Sequence, residues 1–205
     1  MSTDIRCVLF DLDGVLADYD RGRRVETFAR HLGHRAEAVH AAIYASGIED
    51  AADAGLLDAP TYLSALGREL DRDIDAEAWV DARRAASCVR PPVLELAGRL
   101  RDQGIAVAVL SNNGLLMAER WPVIVPTLLP LFERRFFCSA QLQAAKPSPA
   151  AYLRCLEALA MPPAATLFVD DSDANVAGAR KAGLVAHHFT DLQQLRSALA
   201  NCGLA

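Results

Sequence analysis

The 205-residue chain is 52% hydrophobic and carries a formal charge of -5 at pH 7. That composition supports a sizeable core in one domain, or in a core domain with a smaller insertion, and excludes a disordered or low-complexity chain. No basic stripe with interleaved aromatics argues for a nucleic-acid partner, and no apolar run approaches the ~18 residues of a membrane span.

In chain order, the first strand expected is 7–10, an apolar run that stops at Asp11. From 20 to 90 the chain holds alanine-rich amphipathic segments (25–32, 36–44, 61–70 and 77–86) and no convincing strand. Pro91-Pro92 is read as the stop of the last of these helices. After it, strands at 105–110, 166–169 and 184–189, with a weaker one at 135–138, alternate with helices at 93–103, 149–159, 174–182 and 192–200. Gly104 and Gly183 suit two helix ends, where a left-handed residue costs least. The alternation predicts an α/β fold: a Rossmann-like parallel sheet core with an inserted all-helical cap. The expected division is 1–19 and 91–205 for the core and 20–90 for the cap.

Ligands of open parallel sheets bind beyond the carboxyl ends of the strands. Four polar segments fall there or beside it: Asp11-Leu12-Asp13-Gly14, Ser111-Asn112-Asn113-Gly114, Lys146-Pro147-Ser148-Pro149 and Asp170-Asp171-Ser172-Asp173. Asp11 and Asp13, spaced i and i+2, point to one side. Joined by Asp170 and Asp171 they call for a counter-ion, and Mg2+ suits an all-oxygen set that keeps room for water and phosphate. Lys146 and Ser111 supply the charge and hydrogen bond a phosphoryl group needs. Only two of the 21 basic residues are lysines, so a lysine in this loop points to a need for a compact ammonium.

The run Val8-Leu9-Phe10-Asp11-Leu12-Asp13-Gly14-Val15-Leu16 resembles the first motif of the haloacid dehalogenase-like hydrolases. Leu110-Ser111-Asn112, Lys146-Pro147 and the segment from Phe168 to Val176 resemble the other three, in the right order. The resemblance covers residues 5 to about 190. Within the superfamily it is nearest the branch of alpha-glucose-1-phosphate phosphatase and the N-terminal phosphatase domain of soluble epoxide hydrolase. It implies a phosphatase in which Asp11 attacks phosphorus and Asp13 acts as acid and then base. Mg2+ would be held by Asp11, the Asp13 carbonyl and Asp171, with Asp170 beside it or bound through water. Ser111, Asn112 and Lys146 would bind the phosphoryl group, and Asn175 would orient the Asp171 loop.

Other readings weigh less. Dehalogenation would leave Asp13 and the Asp170-Asp171 pair without a task. A phosphomutase would share every core residue, and a non-catalytic phosphate-binding module would be expected to have lost Asp11 or Asp13. Asp173 and Asp191 read as helix starters, Asn113-Gly114 as a turn, and His187-His188 as structural. Arg21, Arg23, Arg24, Tyr44 and Trp79 of the insertion read as surface charges or interior aromatics. The segment Met1-Ser2-Thr3-Asp4-Ile5-Arg6 lacks a signal-peptide pattern, and five scattered cysteines read as reduced, small buried hydrophobes in a cytoplasmic protein. The expected partner is a small phosphorylated metabolite, sugar phosphates first, with no membrane and with a homodimer allowed.

Overall fold

The computed structural model describes residues 4–204. In chain order the elements are β1 (Cys7–Phe10), β2 (Ala17–Tyr19), α1 (Arg21–Leu32), α2 (Ala36–Tyr44), α3 (Ile48–Asp53), α4 (Ala59–Leu70) and α5 (Ala76–Ala86). They continue with β3 (Ser87–Val89), α6 (Pro91–Asp102), β4 (Ala106–Ser111), α7 (Leu115–Ile124), α8 (Leu129–Phe132), β5 (Phe136–Cys138) and α9 (Ser139–Leu142). The last are α10 (Pro149–Leu159), β6 (Thr166–Asp170), α11 (Asp173–Lys181), β7 (Val185–His188) and α12 (Leu192–Asn201).

Five strands form a parallel sheet in the order β5-β4-β1-β6-β7. Its central strands are apolar throughout because both faces are covered. Alternate residues leave on opposite faces: Val8 and Phe10 pack with Val93, Leu96 and Leu100 of α6 and with Leu195 and Leu199 of α12. Leu9 and Phe168 pack with Tyr152, Cys155 and Leu156 of α10. All five strands anticipated from the sequence are present.

The helices from α1 to α5 leave the sheet after β1 and return before α6. Asp20, Asp58 and Asp75 cap α1, α4 and α5 by accepting from Arg23, Thr61 and Glu77 main-chain amides. Three features differ from the sequence reading. An antiparallel ribbon pairs Ala17 with Val89 and Tyr19 with Ser87, so the excursion has a two-stranded neck; three residues per strand are too few to show alternation. Pro91 and Pro92 open α6 instead of stopping the preceding helix, because a proline at the first helical positions gives up only an amide that has no partner there. Arg24 is not a surface charge: it is 2% exposed and ion-paired to Glu49 at 2.6 Å. Cys7, Cys138 and Cys155 are buried as expected, whereas Cys88 is exposed and Cys202 half-buried. Among the described residues no single helix is long and apolar enough to cross a membrane.

Candidate active site

Register brings the four polar segments together. β1 lies between β4 and β6, so Asp11, Ser111 and Asp170 emerge side by side from three neighbouring strands. The Asp11 amide donates to the Val169 carbonyl at 2.9 Å, carrying the parallel pairing right up to the site.

Lys146 is the electrostatic centre. Its Nζ sits 2.8 Å from Asp11 Oδ1 and 2.7 Å from Asp170 Oδ2, with all three groups buried. Burial pushes the ammonium down, but the two carboxylates outweigh it and hold its pKa above the ordinary lysine value. For Asp11 the balance goes the other way. Burial is the largest cause, Asp170 and Asp13 add to it, and despite Lys146 the carboxyl is pushed up to about 8. The main-chain amide of Leu12 also donates to Asp11 Oδ1, at 2.7 Å. Both donors meet the same oxygen, which leaves Oδ2 the less engaged of the two.

The supporting side chains brace the polar segments, between them and within them. The Asn112 side chain accepts from the Lys146 amide at 2.9 Å and donates to the Lys146 carbonyl at 2.8 Å, clamping that loop. Asn175 reaches Asp170 at 3.0 and 3.1 Å, so it orients Asp170 more directly than Asp171. Asp170, fully buried, also accepts from the Ser172 amide at 2.8 Å. Asn113 is more than a turn former, since its Nδ2 donates to Ser111 Oγ at 2.8 Å in a buried setting. His188 is tied to the Asp171 carbonyl at 2.9 Å and to the Asp173 carboxylate at 3.1 Å, bracing the loop from β7.

One carboxylate oxygen from each of Asp11, Asp170 and Asp171 lies within 4.8 Å of the others, a spacing that one cation can bridge. Asp171 is the exposed member, and burial followed by Asp170 raises its pKa. It lies over Gly14, whose φ is +86°; a Cβ there would fall 2.1 Å from Asp171 Oδ2. The missing side chain therefore gives Asp171 its place. The donor set is all oxygen and has an excess of negative charge, which fits a hard divalent ion. The Asp13 carboxylate is not part of the three. Its Oδ2 accepts from Arg83 of α5 at 2.6 Å, a contact spanning 70 positions of sequence.

Arg83 is the functional candidate the sequence reading passed over. It is 2% exposed, stacks over the Tyr19 ring at 4.0 Å and donates to Asn113 Oδ1 at 3.3 Å. The signal was available: Trp79, Val80, Arg83 and Ala86 share the buried stripe of α5, which puts an arginine where an apolar residue belongs.

A family model for haloacid dehalogenase-like hydrolases matches residues 5–183. The chain belongs to that family. Within it, the chain is 34% identical over 199 residues to "Phosphatase MT3486" of Mycobacterium tuberculosis, covering 89% of this chain and 86% of that one. It is 29% identical over 197 residues to a phosphoglycolate phosphatase of Pseudomonas putida, covering 87% and 67%. Among solved structures, the haloacid dehalogenase-like enzyme bt-2542 of Bacteroides thetaiotaomicron, crystallised with magnesium and inorganic phosphate, superposes with a TM-score of 0.76 at 22% identity. That match covers 93% of this chain and 98% of the other and establishes the fold.

Proposed function

We propose that this haloacid dehalogenase-like hydrolase is a magnesium-dependent phosphatase acting on small organic phosphate monoesters, sugar phosphates first among them, through a phosphorylated Asp11. The observation that carries the reading is the Lys146 ammonium held between Asp11 and Asp170, beside a three-carboxylate group at the carboxyl ends of the sheet. The names of the relatives support the same chemistry.

In this account a carboxylate oxygen of Asp11 attacks phosphorus in line with the leaving oxygen. Asp13 protonates that oxygen and then takes a proton from the water that hydrolyses the acyl phosphate. Lys146 neutralises charge on the nucleophile and on the phosphoryl group, while Ser111, oriented by Asn113, holds a phosphoryl oxygen. Asp11, the Asp13 carbonyl and Asp171 would hold the magnesium ion, whose charge offsets that of the phosphoryl oxygens. Asp170 is already engaged by Lys146 and Asn175, so its part is to position the lysine. Phosphoryl transfer depends mainly on placement and electrostatics, and these few groups suffice. The reading makes a small phosphorylated metabolite the partner and the cytoplasm the setting.

The test is phosphate release from a panel of small phosphate monoesters, with magnesium and with chelator. Magnesium-dependent release by the wild type is expected. Release that is equal in chelator would contradict the metal assignment, and silence across the panel would contradict the phosphatase reading.

A further inference from the structure

Between the helical insertion and the sheet edge lies a cavity of about 320 Å³, at the small end of ligand pockets. Asp13, Asn112 and Asn113 of the site form its floor, and Arg24, Glu49, Asp53 and Arg83 stand in its walls. It therefore opens on the group that would protonate the leaving oxygen. We infer that this cavity is a subsite for an uncharged, hydroxyl-bearing leaving group, read by the Arg83 guanidinium and the Asp53 carboxyl. The inference rests on the phosphatase reading above and names the substrate class of that same site.

Three observations support it. First, Arg83 is buried and, among the described residues, has only one nitrogen hydrogen-bonded: Nε and Nη1 have no hydrogen-bond partner there, and neither does the buried Oδ1 of Asp13. Buried unpaired polar atoms are costly, and in a native site they call for a ligand, an ion or water. Two donor nitrogens beside one acceptor oxygen suit a hydroxyl, which both gives and takes a hydrogen bond.

Second, the charges of the wall are already spoken for. Arg24 is paired with Glu49 at 2.6 Å and Arg83 with Asp13 at 2.6 Å. Glu49 also accepts from the Tyr62 hydroxyl. What remains is Arg21, set against Asp50 and Asp53. Asp53 makes no side-chain hydrogen bond or ion pair among the described residues. Burial first and Glu49 second push its carboxyl up to about 7, so above that pH it stands in the wall as an unpaired carboxylate that accepts from a hydroxyl. A carboxylate or a second phosphate on the leaving group would sit against these acids, and like-charge juxtaposition is strongly disfavoured.

Third, the aromatic surface of the wall is shared with cations. Tyr19 carries Arg83 at 4.0 Å, and Tyr44 carries Arg21 at 5.1 Å and Arg24 at 5.8 Å. A flat base meets no bare ring pair to stack between.

The experiment compares kcat/KM of wild type and Asp53→Asn at pH 8 for three substrates. These are a sugar phosphate, phosphoglycolate as the carboxylate-bearing ester, and p-nitrophenyl phosphate as a reporter of core chemistry. The wild type should prefer the sugar phosphate over phosphoglycolate by about tenfold or more. Asp53→Asn should narrow that ratio chiefly by raising kcat/KM for phosphoglycolate. A wild-type preference for phosphoglycolate overturns the inference even if the variant does not fold. So does a ratio left unchanged by a folded variant. In both cases hydrolysis itself leaves the phosphatase reading standing. No release from any substrate, the aryl ester included, overturns that reading and this inference with it.

Discussion

Gly178 in the middle of α11 gives the sharpest test of how Lys146 is held. A Cβ built there would lie 2.2 Å from the Pro147 carbonyl oxygen, 2.9 Å from its carbonyl carbon and 3.0 Å from its Cα. The obstacle is backbone, so no rotamer change relieves it. Opening the gap to the 3.4 Å of ordinary contact moves the helix or the Lys146-Pro147 loop by roughly 1 Å. Two effects oppose each other in Gly178→Ala. Alanine is the better helix former by about 1 kcal/mol. Overpacking against backbone costs about 1–3 kcal/mol, and a fixed carbonyl puts this site toward the upper end. The net is a loss of about 1–2 kcal/mol, or a melting point lower by about 2–8 °C for a chain of this size. The effect on turnover should be larger, since a displacement of about 1 Å at a charged positioning group costs about 100-fold. The control is Gly98→Ala in α6, where an added Cβ meets nothing within 4 Å. That variant should melt higher than wild type and keep its rate. Thermal melts and phosphate release on the two variants read both effects. If Gly178→Ala melts and turns over like Gly98→Ala, the packing of α11 on Pro147 does not place Lys146.

Other perturbations read other parts of the account. Gly14→Ala should displace the Asp171 carboxylate, so the magnesium concentration for half-maximal activity should rise by about tenfold or more; a magnesium titration checks this. Asp171→Asn should move the same titration in the same direction and leave the folding stability within about 0.5 kcal/mol of wild type, because this side chain is exposed. For Asp53 the folded state keeps a proton that the unfolded chain releases, between the ordinary value of 3.8 and about 7. Its contribution to stability is therefore full below the lower value and lost as pH rises through the upper one. Denaturant melts of wild type and Asp53→Asn across pH 4 to 8 should show a shallower decline in the variant.

Most of the sheet edge was legible because its information is local. The run Cys7–Phe10 is apolar until Asp11, and Thr166–Asp170 likewise turns polar at its end, so strand, boundary and functional carboxylate are written within a few residues. Parallel topology then does the rest, since β1 between β4 and β6 sets Asp11 beside Ser111 and Asp170. What was not legible depends on how distant pieces dock. The Arg83–Asp13 contact needs the angle at which α5 returns over the sheet, and helical periodicity gives a face but no partner. Arg24 was misjudged for the same reason: its charge is offset by Glu49, 25 positions away on α3, a helix of six residues that left no clear pattern. Asn112 and Asn175 fall in the expected segments, but their partners, the Lys146 backbone and the Asp170 carboxylate, were not legible, because a primary amide can turn to substrate, backbone or carboxylate with equal ease. The Pro91-Pro92 pair shows the same ambiguity, since proline fits both after a helix and at its first turn.

The central claim is that phosphate passes through Asp11, and rapid acid quenching with 32P-labelled substrate tests it most directly. The account predicts transient label on the peptide carrying Asp11, released by hydroxylamine as an acyl phosphate should be, and none in a folded Asp11→Asn variant. Turnover by the wild type without label on that peptide, or label and turnover persisting in Asp11→Asn, would contradict it.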